Sequence, residues 1–445
     1  MPRLSLIRAR YMVPVRPANV ILEDHCVVIE HARIKAVMPA QEALTVYPAA
    51  PCVSLQEHVL LPGLINMHTH SPMTLLRGYA DDLDLQVWLK QHIWPVEQAF
   101  VSEEFVADGT ALAVVEMLRA GTTCFNDNYF FPGTIASVAR NAGMRACIGL
   151  PVIELETAWA IDANECLSKG NQLIEQWRGE RLISFSYAPH APYSVSDQTL
   201  DVILHQAQRH DLLVHMHILE SQWEVQQSLQ VHGLRPLERL ERLGLLGPGL
   251  LAVHMIHLTE RDIDLLAAKG VHVIHCPQSN LKLANGVCPV SNLHAASVNL
   301  ALGTDGAASN NNLDLLGEAQ TAALLAKGFT GQADAITAFE ALEMLTINGA
   351  RALGLEQEVG SIESGKQADL AALDLSHPET QPLHNVVSQL IYAASSRQFT
   401  DVWVAGERLL QAGELTTLDM AAILARAERW RVRMSGLQNS GESVQ

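Results

Sequence analysis

Paired cysteines, long apolar runs and blocks of positive charge are all missing from this chain of 445 residues. Its seven cysteines, at positions 26, 52, 124, 147, 166, 276 and 288, are odd in number and include no C-x-x-C. That pattern argues against a disulfide framework or a cysteine-rich zinc knuckle and leaves reduced, mostly buried thiols. No apolar stretch approaches the ~20 residues that a membrane span needs. The apolar part of MPRLSLIRAR is too short for a signal peptide, so the expected location is the cytoplasm. Lys and Arg number 30 against 48 Asp and Glu, a net charge of −18 with no basic run to offset it. Neither nucleic acid nor a membrane is therefore expected as a partner. A Gly-rich phosphate loop after an early strand is missing too, which argues against a doubly wound dinucleotide fold.

What is present is a globular composition, 48% hydrophobic and 18% charged, on a chain longer than one usual core. From Gly63 to about Gly306 a short apolar run, a polar end and a longer amphipathic stretch recur. Strands are expected at Leu64–His70, Thr122–Asn128, Met144–Ile153 and Leu182–His190, then at Leu212–Leu219, Leu250–His254, Val271–Cys276 and Val298–Thr304. Eight strands alternating with helices over about 240 residues predict an α/β fold, a (β/α)8 TIM-type barrel. The chain ends differ: residues 1–60 and 365–430 carry short β-like runs such as NVILEDHCVVIEHARIKAV and QADLAALDL. Neither piece makes a comfortable unit alone. They are expected to pair into a composite β-sandwich beside a catalytic barrel of residues 61–364, with 431–445 as a flexible polar tail.

Ionisable residues gather at the C-terminal ends of the expected strands, the active-site face of such a barrel. On a strand, residues two apart face the same side, so His68 and His70 of NMHTH can share one cation. Alone, the pair is equally readable as two structural histidines. His215 and His217 form a second such pair, with His217 nearer the mouth and His215 a layer deeper, in a hydrogen-bonded core role. Asp305 ends an apolar strand where an oxygen ligand would close the site, although a strand–Asp–Gly also caps turns. Together His68, His70, His217 and Asp305 make a four-ligand metal site.

The motifs PGLINMHTH, HILE, AVHMIHL, HCPQSN and GTDGAASNN resemble those of the amidohydrolase superfamily, in its mononuclear deaminase and chlorohydrolase branch. The likeness extends to GSIESGKQADLAALDL and so spans nearly the whole chain. It implies a metal-dependent barrel, a composite sandwich and a homo-oligomer. Binuclear members carry a bridging lysine on the fourth strand; here that strand ends in His190, so one divalent metal is expected. Zinc leads, with Fe2+ and Mn2+ accepted by the same ligand types. Glu220, on the turn leaving the His217 strand, is expected as general acid, unless it merely caps the next helix. His254 is expected to polarise the attacking water, with His257 beyond the strand as the weaker choice. Asp305 doubles as proton acceptor, and His275 is expected to be supporting or structural. The resemblance puts these roles on the same positions.

The insert RGYADDLDLQVWLKQHIWPVEQAF would cover the mouth as a lid. Its W-L…W-P-x-E pattern, with PHAPYSV, is similar to 5′-methylthioadenosine/S-adenosylhomocysteine deaminases. That likeness implies that Glu97 holds the ribose hydroxyls, His190 contacts the substrate and Trp88 lines the pocket, beside Glu220 and Asp305. A carboxylate suits a vicinal diol, because it accepts two charge-assisted hydrogen bonds. The expected reaction is deamination of a 5′-thio-substituted adenosine. Methylthioadenosine is preferred over adenosylhomocysteine, since GLPVIELETAWA is largely apolar and only Arg140 and Arg145 offer themselves to a charged tail. Alternatives are a guanine or pterin deaminase, an s-triazine hydrolase, or a non-catalytic metal-binding paralogue; the last would be expected to lack Glu220, His254 or Asp305.

Overall fold

The computed structural model describes residues 4–440, with side chains described through residue 436. Four N-terminal strands, β1 Leu4–Met12, β2 Leu22–Glu30, β3 Arg33–Pro39 and β4 Cys52–Pro62, precede the barrel. Eight strands follow: β5 Leu64–Thr69, β6 Thr122–Asn128, β7 Arg145–Val152, β8 Ile183–Pro189, β9 Leu213–Ile218, β10 Leu250–His254, β11 His272–His275 and β12 Asn299–Leu302. They lie in chain order in one parallel sheet. The expected strands are all there, two with the expected bounds and the others shorter by one or two residues at an end. Every residue of β5, β6, β7 and β10 is buried, as strands covered on both faces must be.

Between β12 and β5 the barrel closes at its mouth. The Asp305 amide donates to the His68 carbonyl at 2.9 Å, and Asn66 exchanges bonds with Thr304. Gly303 permits this approach: a Cβ there would stand 2.6 Å from the His68 nitrogen.

The C-terminal strands β13 Leu370–Asp374, β14 Phe399–Val404, β15 Glu407–Gln411 and β16 Glu414–Leu415 join the N-terminal four in a second sheet. Its order is β16-β15-β14-β13-β4-β1-β2-β3, so the two chain ends meet at the antiparallel β4–β13 seam. Ile7, Met12, Ile34, Leu60, Leu370 and Trp403 form its own small core, apart from the barrel's. This is the barrel-plus-sandwich architecture.

The helix Glu103–Arg119 matters to the site. Ser102 caps it by accepting from the Phe105 amide at 3.3 Å, with Glu103 and Glu104 in the first turn. Its Gly109 carbonyl accepts from Thr74 Oγ1 at 2.7 Å, which pins the turn Ser71–Leu76 directly after His70. The last helix, Met420–Ser440, packs on its other side. Trp430 is buried edge-on against Phe105 and donates to Asp108 Oδ2 at 3.0 Å. Residues 431–440, read from the sequence as the start of a flexible tail, thus continue a helix, while 441–445 lie outside the described residues. Among the described residues no helix is long and apolar enough to cross a membrane.

Candidate active site

At the mouth, four side chains from three parts of the barrel converge. Nε2 of His68 and Nε2 of His70 each lie 3.3 Å from Asp305 Oδ1. His217 Nε2 lies 3.2 Å from His68 Nε2. The other ring nitrogens are engaged outward: His70 Nδ1 donates to the Asn128 carbonyl and His217 Nδ1 to the His190 carbonyl at 2.7 Å. His68 Nδ1 meets His215 Nε2 at 2.9 Å, which places His215 in the deeper layer expected of it. Those outward bonds turn the Nε2 atoms of His70 and His217 into the cluster, as acceptors whenever the rings are neutral.

Burial lowers the pKa of His68 to about 4 and holds His217 well below its usual value, keeping both rings neutral. For Asp305 burial works upward, yet His68 and His70 beside it hold it well below the carboxylate range; on His70 burial works downward, but Asp305 raises it to about 9. Two triads that share His68, His68–His70–Asp305 and His68–His217–His254, each bring their ligand atoms within 4.8 Å of one another, and the first fits a divalent ion of the zinc type.

Asp305 is held from behind, where Oδ2 accepts from Ser279 Oγ at 2.6 Å and from Ser309 Oγ at 2.8 Å. The alternative role of turn cap is present as well, because Oδ1 accepts from the Gly306 amide at 2.7 Å. Glu220 is not a helix cap: Ser221 takes that place on helix Gln222–His232, accepting from the Glu224 amide at 3.3 Å. Glu224 instead steadies the turn, accepting from the amides of Leu219 and Glu220 at 2.9 and 3.1 Å. Burial raises the pKa of Glu220, which shifts its carboxyl toward the protonated form. Its Oε1 accepts from Asn285 Nδ2 at 3.1 Å and stands 3.8 Å from His254 Nε2. His254 Nδ1 donates to Asn280 Oδ1 at 2.8 Å, which leaves Nε2 as the free acceptor.

A cavity of about 600 Å³ opens above this cluster and is lined by His70, His217, Glu220, His254 and Asp305 at one end. Trp88, Glu97 and His190 also line it, so all the expected site residues except buried His68 face one space. The insert forms the cavity wall as a helix Leu85–Val87 capped by Asp84, a wider π-helical turn Trp88–Ile93 and a helix Trp94–Phe100. Trp88 is buried with its indole donating to the Ala80 carbonyl at 3.2 Å. Glu97, half-buried, accepts from Tyr129 Oη at 2.6 Å. Burial raises Glu97 to about 7, against the lowering effects of Tyr129 and His70. His190 holds Ser194 through Nδ1 at 3.1 Å, and burial lowers its pKa to about 4.

The two arginines weighed for a charged tail are not among the residues that line the cavity. Arg145 opens β7, at the far end of the barrel from the mouth, and its guanidinium is buried against Asp369, with Nε at 2.8 Å and Nη2 at 3.1 Å. Arg140 lies over the Trp177 ring, 5.0 Å from its centroid. Neither lines the cavity, and nor does His257. His275 is buried with neither ring nitrogen hydrogen-bonded. Residues that sequence reasoning missed are Tyr129, Asn280, Asn285, Ser279 and Ser309. Of these, Ser279 and Asn280 stand in the quoted HCPQSN motif and Ser309 in GTDGAASNN, and the other two sit in loops with no pattern to mark them.

A model of the amidohydrolase family matches residues 59–409. A relative from Teredinibacter turnerae, named 5-methylthioadenosine/S-adenosylhomocysteine deaminase, is 47% identical over 426 residues, covering 96% of each chain. The crystal structure of an adenosine deaminase from Xanthomonas campestris, with bound zinc, superposes with a TM-score of 0.96 at 52% identity, covering 97% of this chain and 98% of that one. Atrazine chlorohydrolase from Arthrobacter aurescens shares the fold, with a TM-score of 0.90 at 21% identity over 96% of this chain and 99% of its own.

Proposed function

The chain belongs to the amidohydrolase family, and from that premise we propose that it hydrolyses the 6-amino group of a 5′-thio-substituted adenosine, giving the inosine analogue and ammonia. The observation that carries this reading is a single cavity lined both by the histidine–Asp305 cluster and by Glu97, a carboxylate braced by Tyr129. The first end supports hydrolysis of a cyclic amidine and the second supports capture of a ribose diol. The names of the relatives point the same way.

In this reading His68, His70, His217 and Asp305 hold one divalent ion, zinc first among the candidates. The chemistry such an ion supplies when bound is Lewis acidity, which lowers the pKa of water. His254 Nε2 and Asp305 orient the attacking water, and Asp305 takes its proton as the oxygen adds to C6. Glu220 donates its proton to N1, so that C6 becomes tetrahedral without a buried anion on the ring. Asp305 then passes its proton to the amino group and ammonia leaves. Glu220 recovers a proton from the C6 hydroxyl, which restores both groups. Trp88 and His190 border the purine, and Glu97 accepts the ribose hydroxyls. The seven free cysteines, six of them buried, support a reducing compartment such as the cytoplasm.

The test is ammonia release from methylthioadenosine, adenosine, adenosylhomocysteine, guanine and s-triazines. Release from the nucleosides is expected, and silence across the panel rules the reading out. Glu97→Gln should lower nucleoside kcat/KM by about a hundredfold, because a charge-assisted contact is lost where water cannot replace it. A free-base or triazine enzyme would barely notice that change.

A further inference from the structure

We propose that the cavity selects 5′-thioadenosines whose tail carries no carboxylate, so that adenosylhomocysteine is a poor substrate beside thioethers with uncharged tails. Resting on the nucleoside-deaminase reading above, this selection adds to it the charge of the 5′ substituent. Among the described residues not one lysine or arginine lines the cavity. The acids on its wall are Glu97, Glu156, Glu220 and Asp305, and exposed Glu156 sits beside Leu155, itself 53% exposed. Two lysines adjoin lining residues in the chain, and neither is itself a lining residue. Lys90 stands over the Trp223 ring, 5.3 Å from its centroid. Lys282 pairs with Asp81 at 2.5 Å and donates to the Ala308 carbonyl at 3.2 Å. Arg140 and Arg145 are committed to Trp177 and Asp369.

The two walls between which a tail could run are apolar. Leu85, Leu89 and Ile93 form one, and Val152, Ile153 and Leu155 the other. A methyl or alkyl thioether gains by entering such a space. An amino-acid tail could offer its ammonium to Glu156, but its carboxylate would shed water with no cation to meet it and with like charges near. The conclusion does not depend on which wall the tail follows, because neither carries a cation.

The experiment compares kcat/KM for methylthioadenosine, 5′-butylthioadenosine and adenosylhomocysteine, the butyl compound matching the homocysteine tail in length without its charges. Adenosylhomocysteine is expected to fall at least about tenfold below the butyl compound. Parity between them, or a lead for adenosylhomocysteine, overturns the proposal. Glu156→Arg puts a cation on the rim and is expected to narrow the ratio of butyl to homocysteine substrate by at least about threefold. A ratio that does not move overturns the electrostatic account. Ammonia from guanine or triazines but from no thioadenosine would instead defeat the nucleoside reading itself, and the tail selection would fall with it.

Discussion

Tyr129 follows β6 directly, and its hydroxyl hydrogen-bonds Glu97 Oε1 at 2.6 Å from across the cavity. That bond occupies one carboxylate oxygen and leaves the other to the substrate diol, which makes Tyr129 a positioning residue. Tyr129→Phe should raise KM for a nucleoside about tenfold with kcat nearly unchanged, the loss of one hydrogen bond to a charged group. It should also shrink the preference for nucleosides over 2′-deoxynucleosides, a ratio that a merely structural defect would leave alone. The pH profile offers a second readout. Desolvation raises Glu97 to about 7 while Tyr129 and His70 pull it down. The diol binds the ionised form, so kcat/KM should fall as pH drops below about 7. Without the tyrosine hydroxyl that limb should move to higher pH, and a profile identical to the parent's would refute the role. The strand-end residues were legible in the sequence because an alternating strand fixes which side each faces. Tyr129 and Asn285 were not, because their meaning lies in partners distant in the chain, Glu97 and Glu220, while Ser309 bonds Asp305 four residues away in a motif that marked only the aspartate. Arg145, weighed for a charged tail, opens β7 and so belongs to the bottom of the barrel; strand direction alone excludes it from the mouth.

Elements hold the site as much as residues do. The turn Ser71–Leu76 that leaves His70 lies against helix Glu103–Arg119 at a glycine, where a Cβ on Gly109 would come within 2.3 Å of the Pro72 carbonyl oxygen. Backbone cannot yield there as a flexible side chain would. Gly109→Ala should therefore push the turn away, lowering stability by about 1–3 kcal/mol as overpacking does. The same displacement would move His70, so metal content after dialysis against a weak chelator should fall relative to the parent. A variant that loses stability but keeps full metal content would separate the helix from the site. All eight barrel strands could be read from apolar runs with polar ends. The last helix could not be read to its end, since residues 431–440 are polar along most of their length. Its register is set by Trp430 and Met434, four apart and both buried, and by the Trp430 bond to Asp108.

At the scale of the whole molecule, one ion pair ties the bottom of the barrel to the sheet made from both chain ends. Arg145 on β7 and Asp369, just before β13, are almost wholly buried, with 7% and 2% of their side chains exposed. Asp369 Oδ1 also accepts from the Ala405 amide at 2.7 Å. Removing one partner strands the other charge out of water, so Asp369→Ala should cost about 3–5 kcal/mol. The double variant Arg145→Met, Asp369→Asn leaves no buried charge and keeps an acceptor for Ala405. It should lose less than Asp369→Ala alone, by about 2 kcal/mol. Denaturant unfolding of the three proteins measures both differences. Because the pair sits at the end of the barrel away from the mouth, kcat/KM of the double variant should stay within about threefold of the parent. If the double variant were the least stable of the three, the pair would contribute through attraction rather than through the penalty of breaking it. In either case Arg145 serves the joint between sheet and barrel, and the mouth must recognise its substrate without an arginine.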